Sequence, residues 1–124
     1  MSHPTDQHLR QFLFLVDMTI DQQIIAHESD LVVQREKLKE SAPEHRATWK
    51  RWISESEKTI ACLRETILAM RRAASTPEGT GNTTRHAAQL MANGGLAHGI
   101  MPAPHGWCFV LTAKGRAYIA TVQS

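Results

Sequence analysis

Apolar residues recur at helical spacing through the middle of the chain, from Trp49 to Ala74. Steps of three and four positions separate them, and only Ser56 interrupts the series. The members are Trp49, Ile53, Ile60, Leu63, Ile67, Met70 and Ala74. This spacing is typical of a helix that buries one seam against another helix. The sequence therefore predicts a long helix with a helical partner.

A second helical stripe precedes this seam and provides the predicted partner. Its members are Leu9, Leu13, Val16, Ile20, Ile24, His27, Leu31 and Leu38. We expect this helix to begin near Thr5 or Asp6, where a capping side chain follows Pro4, and to continue to about Glu40.

A short connector separates the two predicted helices. Ser41 and Glu44 have the spacing of a capping box, and Pro43 suits the first turn of the following helix. Because short connections place neighbouring helices antiparallel, residues 5–74 are predicted to form a coiled-coil-like antiparallel hairpin about 45 Å long. Residues 1–74 are the predicted oligomerisation domain of a mainly α-helical protein.

The first helix is apolar on all sides between Phe12 and Val16. A single partner helix would leave part of this patch in water, so either the C-terminal region or a second chain is expected to cover it. Together with the sustained seam, the patch predicts a homodimer formed through the hairpin. Phe12 and Phe14 are therefore candidate partner contacts.

Two tryptophans lie near the predicted tip of the hairpin. Trp49 belongs to the seam and is expected to close the core over the turn. Trp52 lies off the seam, and since tryptophan is enriched at interface hot spots, it is the better candidate for a partner contact.

The chain after Ala74 changes character. Residues 75–82 contain one proline and two glycines with almost nothing to bury, which predicts a loop or linker. Asn82, Thr83 or Thr84 then offers an N-cap for a short helix.

The remaining residues predict a small α+β module over 83–124. The short helix is expected to end at Gly94-Gly95, followed by a turn-rich, extended segment over 96–106. Residues 107–111 are aromatic and β-branched, which indicates a strand. Residues 112–122 suit either a last helix or a second strand.

Two stretches of this module resemble the second half of a winged helix-turn-helix domain. AAQLMANGGLAHGI is similar to a recognition helix that ends in a glycine and a hydrophobic residue, and GWCFVLTAKGRAYIA is similar to a wing strand that runs into a Leu-Thr-x-x-Gly-Arg turn and the next helix. The resemblance covers about the last third of the chain. It implies binding of double-stranded DNA, with residues 83–91 in the major groove and the wing near His105 on the backbone.

The expected DNA contacts follow from this resemblance and from the basic residues around it. Groove-reading groups would come from the short helix, wing contacts from the turn after the strand, and backbone contacts from the end of the second long helix. The candidates are Arg71, Arg72, Arg85, His86, Gln89, Lys114 and Arg116.

Charge is distributed unevenly along the chain. Up to Met70 there are nine Lys and Arg against eleven Asp and Glu, whereas from Arg71 onward five Lys and Arg accompany Glu78 alone, which gives +4 (5 − 1). This asymmetry suits a nucleic acid or an acidic protein as partner.

Signatures of an enzyme or a metal site are missing from the sequence. There is no Ser-His-Asp order and no paired-carboxylate site, and the glycines of 79–81 lack the lysine of a phosphate-binding loop. His98, His105 and Cys108 have spacings that match no zinc-site pattern. We therefore predict neither enzymatic activity, nor a metal, nor a cofactor.

A soluble, cytoplasmic protein is expected. The N-terminus has no signal-peptide pattern, and the apolar run FLFLV is too short to span a membrane. Cys62 and Cys108 are best explained as two reduced thiols.

Two classes of function remain open. The basic C-terminal module favours a small dimeric DNA-binding regulator. The segment 75–82, which stands where the first helix of a helix-turn-helix belongs, and Trp52 favour a protein-binding adaptor or inhibitor, such as a small phage or mobile-element protein that blocks a host machine.

Overall fold

The computed structural model describes residues 18–122. This part of the chain contains four α-helices, one 3-10 turn and one three-stranded antiparallel sheet. The elements are α1 (Ile20–Glu40), the 3-10 turn (Pro43–His45), α2 (Arg46–Ala74), β1 (Thr80–Thr83), α3 (Arg85–Asn93), β2 (Ala97–Ala103), β3 (Gly106–Leu111) and α4 (Ala113–Thr121). The predicted mainly helical chain with a small α+β part is confirmed at this level.

The chain forms two compact units that divide within α2. The N-terminal unit ends at Ser56, and the C-terminal unit begins at Glu57. The predicted helix start near Thr5 and the apolar patch from Phe12 to Val16 lie outside the described residues.

A capping box starts α1 at a later position than the apolar stripe suggests. The backbone N–H of Gln22 donates to the hydroxyl of Thr19 at 3.4 Å, and the backbone N–H of Thr19 donates to the side-chain oxygen of Gln22 at 3.1 Å. Thr19 is therefore an extended N-cap, and the helix begins at Ile20. The prediction of one continuous helix from residue 5 to Glu40 is wrong at this point.

The connector between α1 and α2 also differs from the prediction. The hydroxyl of Ser41 donates to the carbonyl of Leu38 at 2.9 Å, so Ser41 ends α1 rather than starting the next helix. The 3-10 turn begins after Ala42 without a side-chain cap. The capping box expected at Ser41 and Glu44 is therefore wrong, whereas Pro43 does occupy a first-turn position.

The C-terminal part of α2 supplies the core of the C-terminal unit. Its buried residues are Ile60, Leu63, Thr66, Ile67, Ala69, Met70 and Ala73. Four of them belong to the predicted seam, so helical spacing identified the buried face of this half of the helix correctly. The hydroxyl of Thr66 donates to the carbonyl of Cys62 at 2.8 Å, which satisfies the buried polar side chain of the set.

The sheet packs closely against α2 because one position lacks a side chain. A Cβ atom at Gly81 would lie 2.9 Å from the ring of Phe109 and 3.2 Å from the Cβ of Ala73. Glycine in β1 therefore lets Phe109, which is 1% exposed, fill the space between strand and helix. Residues 80–82 consequently belong to β1, so the prediction of a loop through residue 82 is wrong there.

The strand order is β1-β3-β2, and all pairs are antiparallel. At one end of the central strand β3, Trp107 is paired with Thr83 of β1 and Pro102 of β2. At the other end, Leu111 is paired with Ala97 of β2. The segment that the sequence marks as turn-rich is thus mostly strand β2, joined to β3 by a tight turn after Ala103.

Both short helices begin at threonine caps. The hydroxyl of Thr84 accepts from the N–H of Ala87 at 3.2 Å, which confirms one of the three predicted caps of α3. The hydroxyl of Thr112 accepts from the N–H of Gly115 at 3.0 Å, so residues 113–121 are a helix and not a second strand. α3 packs on β2 and β3, and α4 packs on β3.

Candidate nucleic-acid interface

The basic charge of the protein belongs to the C-terminal unit. From Glu57 onward the sequence has seven Lys and Arg against three Asp and Glu, a net charge of +4 (7 − 3). The preceding residues have seven against nine, a net charge of −2 (7 − 9). The candidate DNA contacts all lie in the C-terminal unit, so the charge and the candidate site coincide.

Arg85 is the first residue of α3, and its side chain lies over an aromatic ring. The guanidinium carbon of Arg85 is 5.5 Å from the ring centroid of Trp107. The register explains this contact, since Thr83 is paired with Trp107 and the chain then turns through Thr84 into α3. An exposed cation–π contact of this kind contributes about 0.5–1 kcal/mol.

The first turn of α3 has an unusual charge for a helix N-terminus. Arg85 and His86 lie there, and no acidic residue accompanies them. The helix dipole disfavours a cation at this end by about 0.3–1 kcal/mol. The position of Arg85 is therefore not explained by the stability of α3, and the ring of Trp107 offsets part of the cost.

The exposed face of α3 continues the candidate interface. His86 and Gln89 are exposed, whereas Ala87, Ala88 and Met91 are buried. The side-chain amide of Gln89 donates to the side-chain oxygen of Asn93 at 2.9 Å, one turn further along the helix. The groups that the sequence assigns to groove reading thus share one face.

Arg72, near the end of α2, is held by an acidic residue. The Nη2 of Arg72 is 2.9 Å from the Oε1 of Glu65, and the same oxygen accepts from the hydroxyl of Thr83 at 3.2 Å. Glu65 thus joins Arg72 to Thr83 at the end of β1, and the chain continues from there into α3, which begins with Arg85. Because the ion pair is partly exposed, it is worth little and an anion can compete for Arg72. Arg71 is half-buried and is also engaged by another residue.

Arg116 has a partner within the protein. Its Nη2 donates to the carbonyl of Pro77 at 2.9 Å. The guanidinium also covers Gly79, where an added Cβ would lie 2.6 Å from Nη2. This side chain thus ties α4 to the turn that precedes β1.

The side chain of Lys114, a residue of α4, lies beside the C-terminal end of α3. A Cβ atom at Gly95 would be 3.9 Å from its Nζ, so the amine is next to the end of that helix, where the dipole favours a cation. The strand positions Trp107 and Leu111, which mark the two ends of the sheet, are about 13 Å apart. The structure therefore connects Arg72 and Arg85 to the end of the sheet at Thr83 and Trp107, and it places Lys114 and Arg116 at the opposite end.

Trp107 and Glu65 were missed by sequence reasoning. Trp107 entered the prediction only as part of a strand, and Glu65 did not enter it. Their contacts depend on the pairing of Thr83 with Trp107 and on the packing of α2 against β1, which no local pattern reveals.

Of the candidate partner contacts in the N-terminal unit, the structure describes Trp52 alone. Trp52 is 41% exposed, and its ring lies edge-on to that of the half-buried Trp49, with centroids 5.0 Å apart and planes at 84°. Phe12 and Phe14 lie outside the described residues.

The thiols and histidines of residues 18–122 form no metal centre. Groups of three or more His, Cys, Asp or Glu side chains able to hold a metal ion do not occur in this range. Burial raises the pKa of the Cys62 thiol, and the carboxylate of Glu65 adds to the rise, while Thr66 opposes it. The thiol of Cys62 therefore holds its proton to a higher pH than an ordinary cysteine because of this raised pKa.

None of the helices within residues 18–122 is long and apolar enough to cross a membrane.

Comparison of the whole chain with protein families, with curated proteins and with solved structures gave no match.

Proposed function

We propose that this protein is a small homodimeric DNA-binding regulator of transcription. The C-terminal unit contacts double-stranded DNA, and the N-terminal unit holds two copies together. The observation that carries the proposal is Arg85, an exposed cation fixed over Trp107 at the first position of α3.

The topology of the C-terminal unit supports a winged-helix-like arrangement. α3 lies between β1 and β2 in the chain, the hairpin of β2 and β3 follows, and the strand order is β1-β3-β2. In the resemblance stated above, α3 enters the major groove and the hairpin turn at His105 contacts the backbone. Since α3 is the single helix between β1 and β2 in the described chain, base reading rests on α3 alone.

The net positive charge of the C-terminal unit supports the same proposal and determines which experiment tests it. A protein that neutralises phosphates loses affinity as salt rises, with a slope of log affinity against log salt of about −0.9 per phosphate. Net charge alone attracts many anions, so the test must separate Arg85 from charge in general.

The test compares two charge reversals in a DNA-binding titration. Fluorescence anisotropy with a labelled duplex of mixed sequence, over a salt series at low ionic strength, measures affinity and slope. Arg85→Glu should weaken binding strongly, whereas Arg51→Glu, an equal change at an exposed site of the N-terminal unit, should leave it nearly unchanged. If the wild-type protein binds no duplex in a salt-dependent manner, the DNA proposal is abandoned.

Exposed apolar residues on α1 support the proposed homodimer. Ile25 and Val32 are 66% and 60% exposed, and they lie on one face because seven positions are two helical turns. Light scattering at micromolar concentration should give twice the chain mass. Ile25→Asp should shift the mass toward the monomer and Lys37→Asp should not; a monomeric wild-type protein contradicts the proposal.

A second candidate function, a protein-binding adaptor or inhibitor, is favoured by the exposure of Trp52. An affinity pull-down from the native host should then capture one saturable partner with the wild-type protein and lose it with Trp52→Ala. Equal capture by both forms would exclude Trp52 as the contact, whereas DNA binding that depends on Arg85 without any such partner speaks for the regulator instead.

A further inference from the structure

The cationic side chains of the C-terminal unit differ in how their hydrogen-bond donors are used. Arg72 gives a donor to Glu65, and Arg116 gives one to the carbonyl of Pro77. The guanidinium of Arg85 lies over the face of an aromatic ring, and no hydrogen bond or ion pair joins this side chain to another residue of the described chain. A cation–π contact restrains the guanidinium while its five N–H donors stay available.

The ring that holds Arg85 belongs to a rigid part of the fold. Trp107 is in the central strand, with Thr83 paired on one side and Pro102 on the other. Gly106, just before it, has φ +134°, and a Cβ atom there would lie 2.8 Å from the carbonyl oxygen of Thr83. This close approach, which only glycine permits, fixes where β3 starts and thus where the ring lies.

The backbone of Arg85 is fixed from the other side. Thr84 caps α3 through its hydroxyl, and Arg85 follows directly as the first helical residue. Trp107 and Arg85 therefore both belong to regular secondary structure, which positions recognition groups more precisely than loops do. A free arginine would have to give up considerable rotamer freedom when it binds a ligand.

We infer that Trp107 is the positioning residue that presents the donors of Arg85 to the edge of a guanine base in DNA. Arginine reads guanine with two parallel hydrogen bonds to N7 and O6, and this geometry demands a defined guanidinium orientation. Trp107 makes no contact with DNA in this arrangement and acts through Arg85. The inference rests on the proposed DNA-binding function and adds the base that is read and the residue that enables the reading.

The first measurement is independent of DNA. In the free protein the Nε–H proton of Arg85 should be shifted upfield by the ring of Trp107 in an NMR spectrum. The shift should persist in Trp107→Phe and disappear in Trp107→Leu. An Arg85 resonance that does not respond to Trp107→Leu overturns the inference, whatever the protein binds.

The second measurement tests base reading with the full-length chain. A duplex is selected from a random library, and its affinity is compared with that of the same duplex carrying 7-deazaguanine, which lacks the N7 acceptor. The wild-type protein should bind the unmodified duplex about tenfold more tightly at one guanine position. Arg85→Ala should remove this preference because it has no donor, and Arg85→Lys should weaken it because an ammonium group lacks the planar pair of N–H donors of arginine.

The variants of Trp107 complete the test. Trp107→Leu should lose most of the preference for guanine over 7-deazaguanine, whereas Trp107→Phe should keep most of it. Neither variant should alter the salt dependence of DNA binding. Trp107→Leu should add no further loss in an Arg85→Ala background. Melting curves by circular dichroism identify a variant that fails to fold; if Trp107→Leu does so, the upfield shift of the Arg85 Nε–H proton in the wild-type protein decides, and its absence overturns the inference.

The outcomes separate the two proposals. A wild-type protein that binds no duplex overturns the proposed function together with this inference. A wild-type protein that discriminates guanine, and does so equally well in a folded Trp107→Leu variant, overturns the role of Trp107 alone.

Discussion

The hydroxyl of Ser56 in α2 donates to the side-chain oxygen of Gln34 in α1, and the two oxygens are 3.0 Å apart. Ser56 is the interruption in the apolar series of α2, and Gln34 lies between Leu31 and Leu38 in the stripe of α1. The polar positions of the two helices therefore meet. A polar pair in an apolar seam sets the register of the helices at a cost in stability.

We expect Ser56→Ala to destabilise the N-terminal unit by about 0.5–1.5 kcal/mol, because the partly buried amide of Gln34 loses its partner. The double variant Ser56→Ala/Gln34→Leu should recover most of that loss, since both polar groups are then removed together. Urea denaturation followed by circular dichroism measures the free energy of unfolding. Losses that simply add in the double variant would contradict the coupling of the two residues.

The second prediction concerns the core of the C-terminal unit. Leu63 is 1% exposed in α2, whereas Leu68 on the same helix is 48% exposed. Leu63→Ala should cost about 2–5 kcal/mol, and Leu63→Asp should unfold this unit because a carboxylate would enter a dry core. Leu68→Asp, the matched control, should keep the helical circular-dichroism signal. Retained stability in Leu63→Asp would show that the buried face of α2 is assigned wrongly.

The sequence was informative where structure is decided locally. The buried face of α2 at Ile60, Leu63 and Ile67 follows from helical spacing alone. β1 was missed because Gly81 and Asn82 are weak strand formers, and their conformation is decided by pairing with β3, far away in the chain. The capping box at Thr19 has the sequence pattern Thr-x-x-Gln, which lies inside the apolar stripe and was missed.

The third prediction follows from the raised pKa of the Cys62 thiol, which burial causes and Glu65 strengthens. Since the folded-state pKa lies above the unfolded one, the unfolded chain releases this proton first as pH rises. The stabilising contribution of the protonated thiol is thus full below the ordinary thiol pKa and is lost as pH rises through the folded value. The wild-type protein should lose stability at alkaline pH more steeply than Cys62→Ala.

Denaturation of both forms at a series of pH values above neutrality tests this, and equal pH dependence would contradict it. A second measurement uses Cys108→Ser, which leaves Cys62 as the remaining cysteine of the chain. Iodoacetamide should modify Cys62 more slowly in the folded protein than in urea, because the thiolate is the nucleophile.

Of the candidate site, the sequence indicated the cations and their helix but not how they are held. Arg85 was proposed from a resemblance that places it at the start of a recognition helix. Trp107 was missed because its contact with Arg85 depends on the register between β1 and β3, and Glu65 was missed because its contact with Thr83 depends on the packing of α2 against β1. A register slip of one residue would turn Trp107 to the other face of the sheet, and no composition or spacing rule fixes it.

The last prediction separates the two basic residues of α4, which the sequence treats as equivalent phosphate contacts. The structure gives Arg116 a hydrogen bond to the carbonyl of Pro77, while Lys114 is exposed beside Gly95. Arg116→Ala should therefore lower the free energy of unfolding by about 0.5–1.5 kcal/mol and leave the salt dependence of DNA binding unchanged. Lys114→Ala should change the free energy of unfolding by less than about 0.5 kcal/mol. It should reduce the slope of log affinity against log salt by about 0.9, because one phosphate contact is lost. Urea denaturation and salt-dependent anisotropy on the same four proteins, including the double variant, measure both quantities. A reduced slope in Arg116→Ala at unchanged stability would show that its guanidinium leaves Pro77 to bind phosphate, and would return Arg116 to the interface.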